Sequence, residues 1–172
     1  MKHKGVFGIG MAIFFSFFIL AAGCEKAVEA GPMAPDFSLS DVSGQQTVSL
    51  EQYRGSVVLL DFWATWCAPC KMTVPLLAKL HAQYKDKGLV ILGISVDDPQ
   101  LIQDKDLLYY KKMTQIEYPL LRFNQKVMED YFSGEQVAIP TMFVIDRNGR
   151  IRDKIVGFQP ETLEKSLAAV VR

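Results

Sequence analysis

Two cysteines, Cys67 and Cys70, are separated by only two residues and closely follow a stretch, 57–63, that consists of β-branched, leucine and aromatic residues apart from Asp61. A continuous run of this kind is typical of a strand that is buried on both faces of a sheet. Pro69 suits the first turn of a helix, and apolar residues continue at helical spacing to about Lys87. The segment therefore predicts a strand that leads directly into a helix, with a cysteine pair at the junction.

This position of the cysteines indicates thiol chemistry. A cysteine at a helix N-terminus lies beside unpaired N–H groups and the positive end of the helix dipole. These groups favour the thiolate and lower the pKa of the Cys67 thiol, and the thiolate is the form that attacks disulfides. We expect Cys67 at the exposed tip of the helix, while Cys70 lies inside the first turn and can resolve the resulting mixed disulfide. We therefore interpret the pair as redox-active.

Three other uses of a cysteine pair are less consistent with the sequence. A structural bridge would close a loop so small that it stabilises the fold by only about 2 kcal/mol. A c-type haem requires a histidine directly after the second cysteine, and that position is Lys71. A zinc site needs about four ligands, whereas His81 is the only histidine after residue 3 and the chain has three cysteines.

The first thirty residues have the character of a targeting segment. Basic residues at positions 2 and 4 precede an uncharged apolar run, residues 6–22. The run ends in small residues directly before Cys24, which resembles the lipobox of bacterial lipoproteins, although Ala21 stands where leucine is usual. Lipidation of Cys24, an uncleaved anchor and simple secretion remain open, and all three place the domain outside the cytoplasmic membrane. We assign residues 1–30 to this segment and tether and residues 31–172 to one domain.

Charge and length limit the remaining possibilities. A chain of 172 residues predicts one domain with a short appendage. Its 19 basic and 19 acidic residues cancel, so no strong field exists to hold nucleic acid. We expect a monomer that binds no nucleic acid.

The periodicity of the domain predicts an α/β fold, a central mixed sheet flanked by helices, with an N-terminal hairpin and a central helical insert. Asp97, Asp98 and Pro99 look like the start of a helix, with proline in its first turn. The expected elements are a hairpin within 34–50, strands at 57–63, 89–96, 118–123, 141–145 and 151–156, and helices at 69–87, 97–113, 124–132 and 160–170.

Residues 61–71 resemble the active-site strand and loop of thioredoxins, and residues 139–141 resemble the cis-proline loop of that family. The N-terminal residues 34–63 resemble the redoxin, or AhpC/TSA, branch, which adds a β-hairpin to the thioredoxin core. Together with the N-terminal segment, these features resemble the extracytoplasmic TlpA/ResA type of thiol–disulfide oxidoreductase. The resemblance covers residues 35–172 and implies a thioredoxin fold.

The resemblance implies a role for each matching residue. Cys67 matches the nucleophile and Cys70 the resolving cysteine, while Pro140 matches the cis-proline that faces the disulfide. Asp61 matches the buried acid that helps to move the proton of the resolving cysteine, and burial should raise the pKa of its carboxyl. The surface expected to bind substrate consists of Trp66, Ala68, Pro69, Ile139 and Pro140.

The implied function is reduction of disulfides in envelope proteins, with apocytochrome c among the candidate clients. The implied cofactor is the redox-active disulfide itself, and the implied electron donor is a membrane protein of the DsbD/CcdA type. Many ResA-type reductases carry glutamate where this chain has Thr73, and often asparagine where it has Asp61. The proton path therefore looks more like that of thioredoxin.

Two alternatives share the fold. A peroxiredoxin-like peroxidase requires Pro and Thr seven and three residues before its reactive cysteine, and those positions are Leu60 and Ala64. A copper-binding chaperone would hold Cu(I) on both thiolates. Such chaperones usually space the cysteines more widely and add a histidine from a loop, and no histidine follows His81.

Overall fold

The computed structural model describes Met1 and residues 31–171 of the chain. Seven strands and four helices occur in these residues, with short 3-10 turns at 51–53 and 85–87. The strands are β1 (Ser38–Ser40), β2 (Thr47–Ser49), β3 (Val57–Trp63), β4 (Leu89–Ser95), β5 (Leu120–Arg122), β6 (Thr141–Ile145) and β7 (Ile151–Val156). The helices are α1 (Ala68–Tyr84), α2 (Asp104–Met113), α3 (Gln125–Phe132) and α4 (Pro160–Val170).

Five strands form the central sheet in the order β5-β4-β3-β6-β7. β3 pairs in parallel with β4 and antiparallel with β6. All seven residues of β3 are buried, as expected for a central strand with both faces covered. The sheet is therefore mixed, and its central strand leads directly to the cysteines.

β1 and β2 form a separate antiparallel hairpin. A bridge between Asp41 and Leu121 connects the hairpin to β5 of the central sheet. The expected N-terminal hairpin is therefore confirmed.

The two faces of the sheet carry two core layers. Alternate residues of β3, including Leu59 and Trp63, pack with Cys70, Leu77 and residues of α4. The intervening residues pack with α3 and the N-terminal hairpin, where Phe62 meets three aromatic rings at centroid distances of 5.0–5.8 Å. Because side chains alternate along a strand, every second residue of β3 faces α1.

One expectation about the helices is wrong. No helix starts at Asp97; α2 begins at Asp104, and Gln103 and Asp106 form its capping box. Residues 97–103 form turns because the Asp97 carboxylate is bonded elsewhere. Met72 fits the apolar pattern of α1 but is exposed, because the face that packs on the sheet runs through Cys70, Thr73, Val74, Leu77 and Leu80.

Candidate active site

Cys67 and Cys70 form a disulfide at the N-terminus of α1, with an S–S distance of 2.02 Å and a Cα–Cα distance of 5.2 Å. Cys67 is the N-cap of the helix, and its sulfur accepts a hydrogen bond of 3.2 Å from the backbone N–H of Cys70. The N–H of Cys70, which has no carbonyl partner within the first turn of the helix, therefore points at the sulfur of Cys67. In the reduced protein the same N–H favours the thiolate.

The disulfide is less accessible than expected. We predicted Cys67 at an exposed tip, but it is only 4% exposed, against 1% for Cys70. Its sulfur lies 3.8 Å from the carbonyl oxygen of Ile139 on the neighbouring loop. That loop covers the sulfur. The contact could not be predicted from the sequence, because the two residues are 72 positions apart.

The residues around the disulfide range from exposed to buried, and Pro140 is the buried one. Trp66 is 68% exposed beside Cys67, and Ala68 and Pro69 also lie on the surface. Ile139 is half-buried, and its peptide bond to Pro140 is cis, the conformation that the thioredoxin resemblance implies. The five residues expected to bind substrate thus include three exposed ones and two from the loop that contacts Cys67.

Asp61 lies in the middle of β3, between Gly93 of β4 and Met142 of β6. It is two residues from both Leu59 and Trp63, which pack in the core layer of Cys70, so its side chain faces α1. Burial raises the pKa of its carboxyl from its ordinary value to about 7. Its Oδ1 atom has no hydrogen-bond partner within the described part of the chain.

Two tyrosines, Tyr110 of α2 and Tyr118 just before β5, lie near Asp61. Burial raises the pKa of Tyr118 well above 10, and the nearby Asp61 carboxylate adds to the effect. Burial is also the main reason that the pKa of Tyr110 is raised, and the negative charges of Asp97 and then Asp61 raise it further. Both hydroxyls therefore stay protonated at neutral pH, whereas Asp61 changes its charge there.

Asp97 and Thr65 belong to the site although the sequence analysis did not single them out for it. The Asp97 carboxylate accepts hydrogen bonds from the Thr65 hydroxyl at 2.7 Å and from the Thr65 backbone N–H. It also accepts one from the Ser95 hydroxyl at 2.9 Å. The available signal was position: Asp97 follows β4, and the carboxyl ends of parallel strands meet at one edge of a sheet.

Thr73 occupies the position at which ResA-type proteins often carry glutamate. It is fully buried under the first turn of α1, and its hydroxyl donates a hydrogen bond of 2.7 Å to the carbonyl oxygen of Cys70. Threonine cannot take up a proton as glutamate can, and this hydroxyl is occupied by the backbone. Asp61 is the buried carboxyl with a raised pKa on this face of the sheet.

The structure brings most of the predicted residues together. One end of β3 is the meeting point of Cys67, Cys70, Trp66 and the Ile139–Pro140 loop. Asp61 lies within β3 itself, two residues before this end. Cys24, the predicted lipidation position, lies outside the described residues.

A disulfide at a helix N-terminus, over a mixed five-stranded sheet and beside a cis-proline loop, defines a thiol–disulfide oxidoreductase of the thioredoxin fold. Residues 30–154 match the AhpC/TSA family, and the chain belongs to that family. The expected absence of a further cofactor stays a prediction.

Similar proteins have related names. The chain is 35% identical to a thiol-disulfide oxidoreductase ResA of Geobacillus kaustophilus, over 94% of this chain and 87% of that protein. It is 33% identical to the thioredoxin-like protein YneN of Bacillus subtilis, over 77% of this chain and 75% of that one. A crystal structure of a putative thiol:disulfide interchange protein DsbE from Chlorobium tepidum aligns with a TM-score of 0.71 and 33% identity, covering 84% of this chain and 99% of that one.

Proposed function

We propose that this protein reduces disulfides of other proteins outside the cytoplasmic membrane. The observation that carries the proposal is the placement of Cys67 as the N-cap of α1, in contact with the Ile139–Pro140 loop and bonded to Cys70. This placement provides an activated attacking sulfur, an adjacent resolving sulfur and a surface for a client chain.

The reaction begins with the reduced protein. The Cys67 thiolate attacks one sulfur of a client disulfide; that S–S bond breaks, a mixed disulfide forms, and the second client sulfur leaves as a thiolate and takes a proton. The Cys70 thiol then loses its proton and attacks the Cys67 sulfur. The mixed disulfide breaks, the first client sulfur leaves, and two electrons have passed from the Cys67–Cys70 pair to the client.

Asp61 is the proposed acceptor of the Cys70 proton. Its carboxyl faces the α1 side of the sheet, and burial holds its pKa at about 7. A group with a pKa near the working pH can accept a proton and release it again with little cost in either direction. Asp61 is therefore suited to cycle once for each disulfide reduced.

The client is proposed to bind across Trp66, Ala68, Pro69, Ile139 and Pro140. Trp66 presents an exposed indole ring next to Cys67, and aromatic side chains are frequent anchors of protein interfaces. The carbonyl oxygen of Ile139, 3.8 Å from the Cys67 sulfur, lies where it can accept a hydrogen bond from the backbone of an extended client segment.

Attachment to the membrane is proposed from the N-terminal sequence, by a lipid on Cys24 or by the apolar residues 6–22. No helix within the described residues is long and apolar enough to cross a membrane. A membrane protein of the DsbD/CcdA type is the proposed electron donor, since the cell envelope is oxidising. Envelope proteins, apocytochrome c among them, are the proposed clients, and the protein is proposed to act as a monomer.

Peroxidase activity, the alternative within the same family, finds less support at the site. The positions that require proline and threonine hold Leu60 and Ala64, both buried and apolar. The adjacent hydroxyl, that of Thr65, is engaged by Asp97. Consumption of hydrogen peroxide by the reduced protein would favour this alternative.

Copper binding is the second alternative. Within the described residues no group of three or more His, Cys, Asp or Glu side chains is placed to hold a metal ion. A Cu(I) titration of the reduced protein, with disulfide reduction measured in parallel, separates the two roles.

Trapping of clients tests the proposed function. A Cys70→Ser variant should accumulate mixed disulfides through Cys67, because the resolving thiol is gone. The matched Cys67→Ser variant retains only the Cys70 thiol of the reactive pair, which is buried in the first turn of α1, and should trap few clients. Trapping by Cys67→Ser in place of Cys70→Ser would reverse the roles, and trapping by neither would reject the reductase.

A further inference from the structure

The end of the sheet opposite the disulfide carries a cluster of cations. β3 and β4 run in parallel away from this end, and β6 returns to it. We call this end the basal pole and define it as residues 54–56, 85–88 and 146–150. The seven residues of β3 separate it from the active site by about 23 Å.

The arginines of the basal pole are bonded to backbone carbonyls and keep their charge. Arg147 donates to the carbonyls of Gly55 and Lys87 at 3.0 and 2.8 Å, and Arg54 donates to that of Asn148 at 3.3 Å. Within residues 31–171 none of the pole's cations pairs with a carboxylate. These cations are Arg54, Lys85, Lys87, Arg147 and Arg150.

Few acidic groups oppose them. Asp146 already pairs with Arg152 at 3.6 Å. Three carboxylates in the described part of the chain remain beside the cations: Asp86 within the pole, Glu51 close to Arg54 in sequence, and Asp36, which accepts a hydrogen bond from the Glu51 N–H at 3.0 Å. The pole therefore has a surplus of about two positive charges. Because the whole chain has a formal charge of zero, the rest of the molecule carries a matching negative surplus.

The chain enters the domain at this same pole. The backbone N–H of Ile151 donates to the carbonyl of Pro32 at 2.9 Å, and that of Ala34 donates to Gly149 at 2.9 Å. Residues 23–30 lie between this entry and the uncharged run 6–22 and can span at most about 30 Å. If the proposed membrane attachment is correct, the basal pole is the part of the domain nearest to the bilayer.

We propose that the basal pole rests on anionic lipid headgroups and holds the Cys67–Cys70 disulfide facing away from the membrane. Clustered Lys and Arg side chains next to a membrane segment are attracted by anionic lipids over about a Debye length. The negative surplus of the remaining surface is repelled. The two effects favour the same orientation, which leaves the active site open to clients. This inference rests on the proposed membrane attachment.

The two tryptophans of the chain provide a direct test. Trp63 and Trp66 are the only ones, and both lie at the active-site end. Energy transfer from tryptophan to a dansyl-labelled lipid therefore reports how closely that end approaches the bilayer. The full chain is reconstituted into vesicles of equal phosphatidylglycerol and phosphatidylcholine, or of phosphatidylcholine alone. We expect less transfer in the anionic vesicles, and loss of this difference at about 0.5 M salt.

A pair of matched variants assigns the effect to the pole. Arg54→Gln, Lys85→Gln and Lys87→Gln together should abolish the difference between the two kinds of vesicle. Lys105→Gln, Lys111→Gln and Lys112→Gln remove the same charge from α2 and should preserve it. Thermal unfolding checks that each variant is folded, and the Lys85→Gln/Lys87→Gln pair replaces the first triple variant if that one is not.

The proposal is overturned if energy transfer in the wild type is equal in the two kinds of vesicle. It is also overturned if both triple variants lose the difference between the vesicles to the same extent. Insulin reduction by the same vesicles tests the redox function separately, because it does not depend on lipid charge. Retention on phosphatidylcholine vesicles tests the attachment. A chain that binds anionic vesicles only, in a manner sensitive to salt and to the pole variants, supports the pole without an anchor; a chain that binds neither kind rejects both.

Discussion

The carboxylate of Asp97 holds Thr65 by three contacts: its two oxygens lie 3.1 and 3.0 Å from the Thr65 backbone nitrogen, and one lies 2.7 Å from the Thr65 hydroxyl. Asp97 is fully buried, and Thr65 stands two residues before Cys67. The contact therefore ties the loop that carries the reactive cysteine to the end of β4.

Removal of this contact should loosen the active-site loop. Asp97→Ala leaves the Thr65 N–H and hydroxyl without their acceptor, so we expect the free energy of unfolding to fall by about 1–3 kcal/mol. Urea unfolding measures this change, and insulin reduction should slow with it. Asp98→Ala is the control, because Asp98 is exposed and, within the described residues, its carboxylate accepts a hydrogen bond only from the nearby Gln100 N–H. Activity equal to that of the wild type in Asp97→Ala would show that the loop holds its shape without Asp97.

Asp61 should make the oxidised protein less stable as the pH rises. The folded state raises the pKa of this carboxyl to about 7, so the folded protein keeps a proton that the unfolded chain releases near pH 4. The free energy of unfolding therefore falls as the pH rises between these values. Asp61→Asn cannot ionise, so it should remove this decrease and raise the free energy of unfolding at pH 8 by roughly 2–4 kcal/mol.

Urea unfolding of the oxidised protein at pH 5 and pH 8 measures the effect, with Asp86→Asn on the surface as the control. If the free energy of unfolding of Asp61→Asn falls with pH as much as that of the wild type, another group causes the dependence. In the catalytic cycle, Asp61→Asn should slow the step after mixed-disulfide formation, so that mixed disulfides accumulate at pH 7.

The disulfide is expected to have a reduction potential near that of thioredoxin, about −270 mV. Ala68 and Pro69 supply no side-chain donor or charge to the Cys67 thiolate, so the helix N-terminus and the Cys70 N–H are its main stabilisers. Ala68→His adds a donor at an exposed position, stabilises the thiolate and should raise the potential. Equilibration with a glutathione or dithiothreitol redox buffer measures it, with Ala68→Leu as the control. A wild-type midpoint above about −180 mV would indicate an oxidase or isomerase.

Cys24 should serve attachment and have no redox role. A Cys24→Ala variant should lose lipid labelling, while its domain retains disulfide reductase activity, because the reactive pair is Cys67 and Cys70. Metabolic labelling with a radioactive fatty acid, followed by membrane fractionation, tests this. Membrane association of the wild type without any label would favour an uncleaved anchor over a lipoprotein.

The strands and helices around the reactive cysteine pair could be predicted from local sequence. The β-branched run 57–63 forms the central strand because it has few polar groups to leave buried, and the helix follows because Pro69 and the apolar spacing suit one. Asp61 could be recognised as a buried acid with a raised pKa from its place within that run. Each of these properties depends on neighbours within about ten residues in the chain.

Contacts between residues far apart in the sequence depend on how the strands pair, and local sequence does not reveal this pairing. Asp97 was expected to start a helix, but β4 lies next to β3, and this pairing puts its carboxylate within reach of Thr65. Cys67 was expected to be exposed, and the loop at Ile139, more than seventy positions later, covers it. The cations of the basal pole are scattered from Arg54 to Arg150, and only the directions of the strands gather them at one end. The physical reason is that hydrogen bonds and burial act between neighbours in space, and the pairing of strands determines which residues those are.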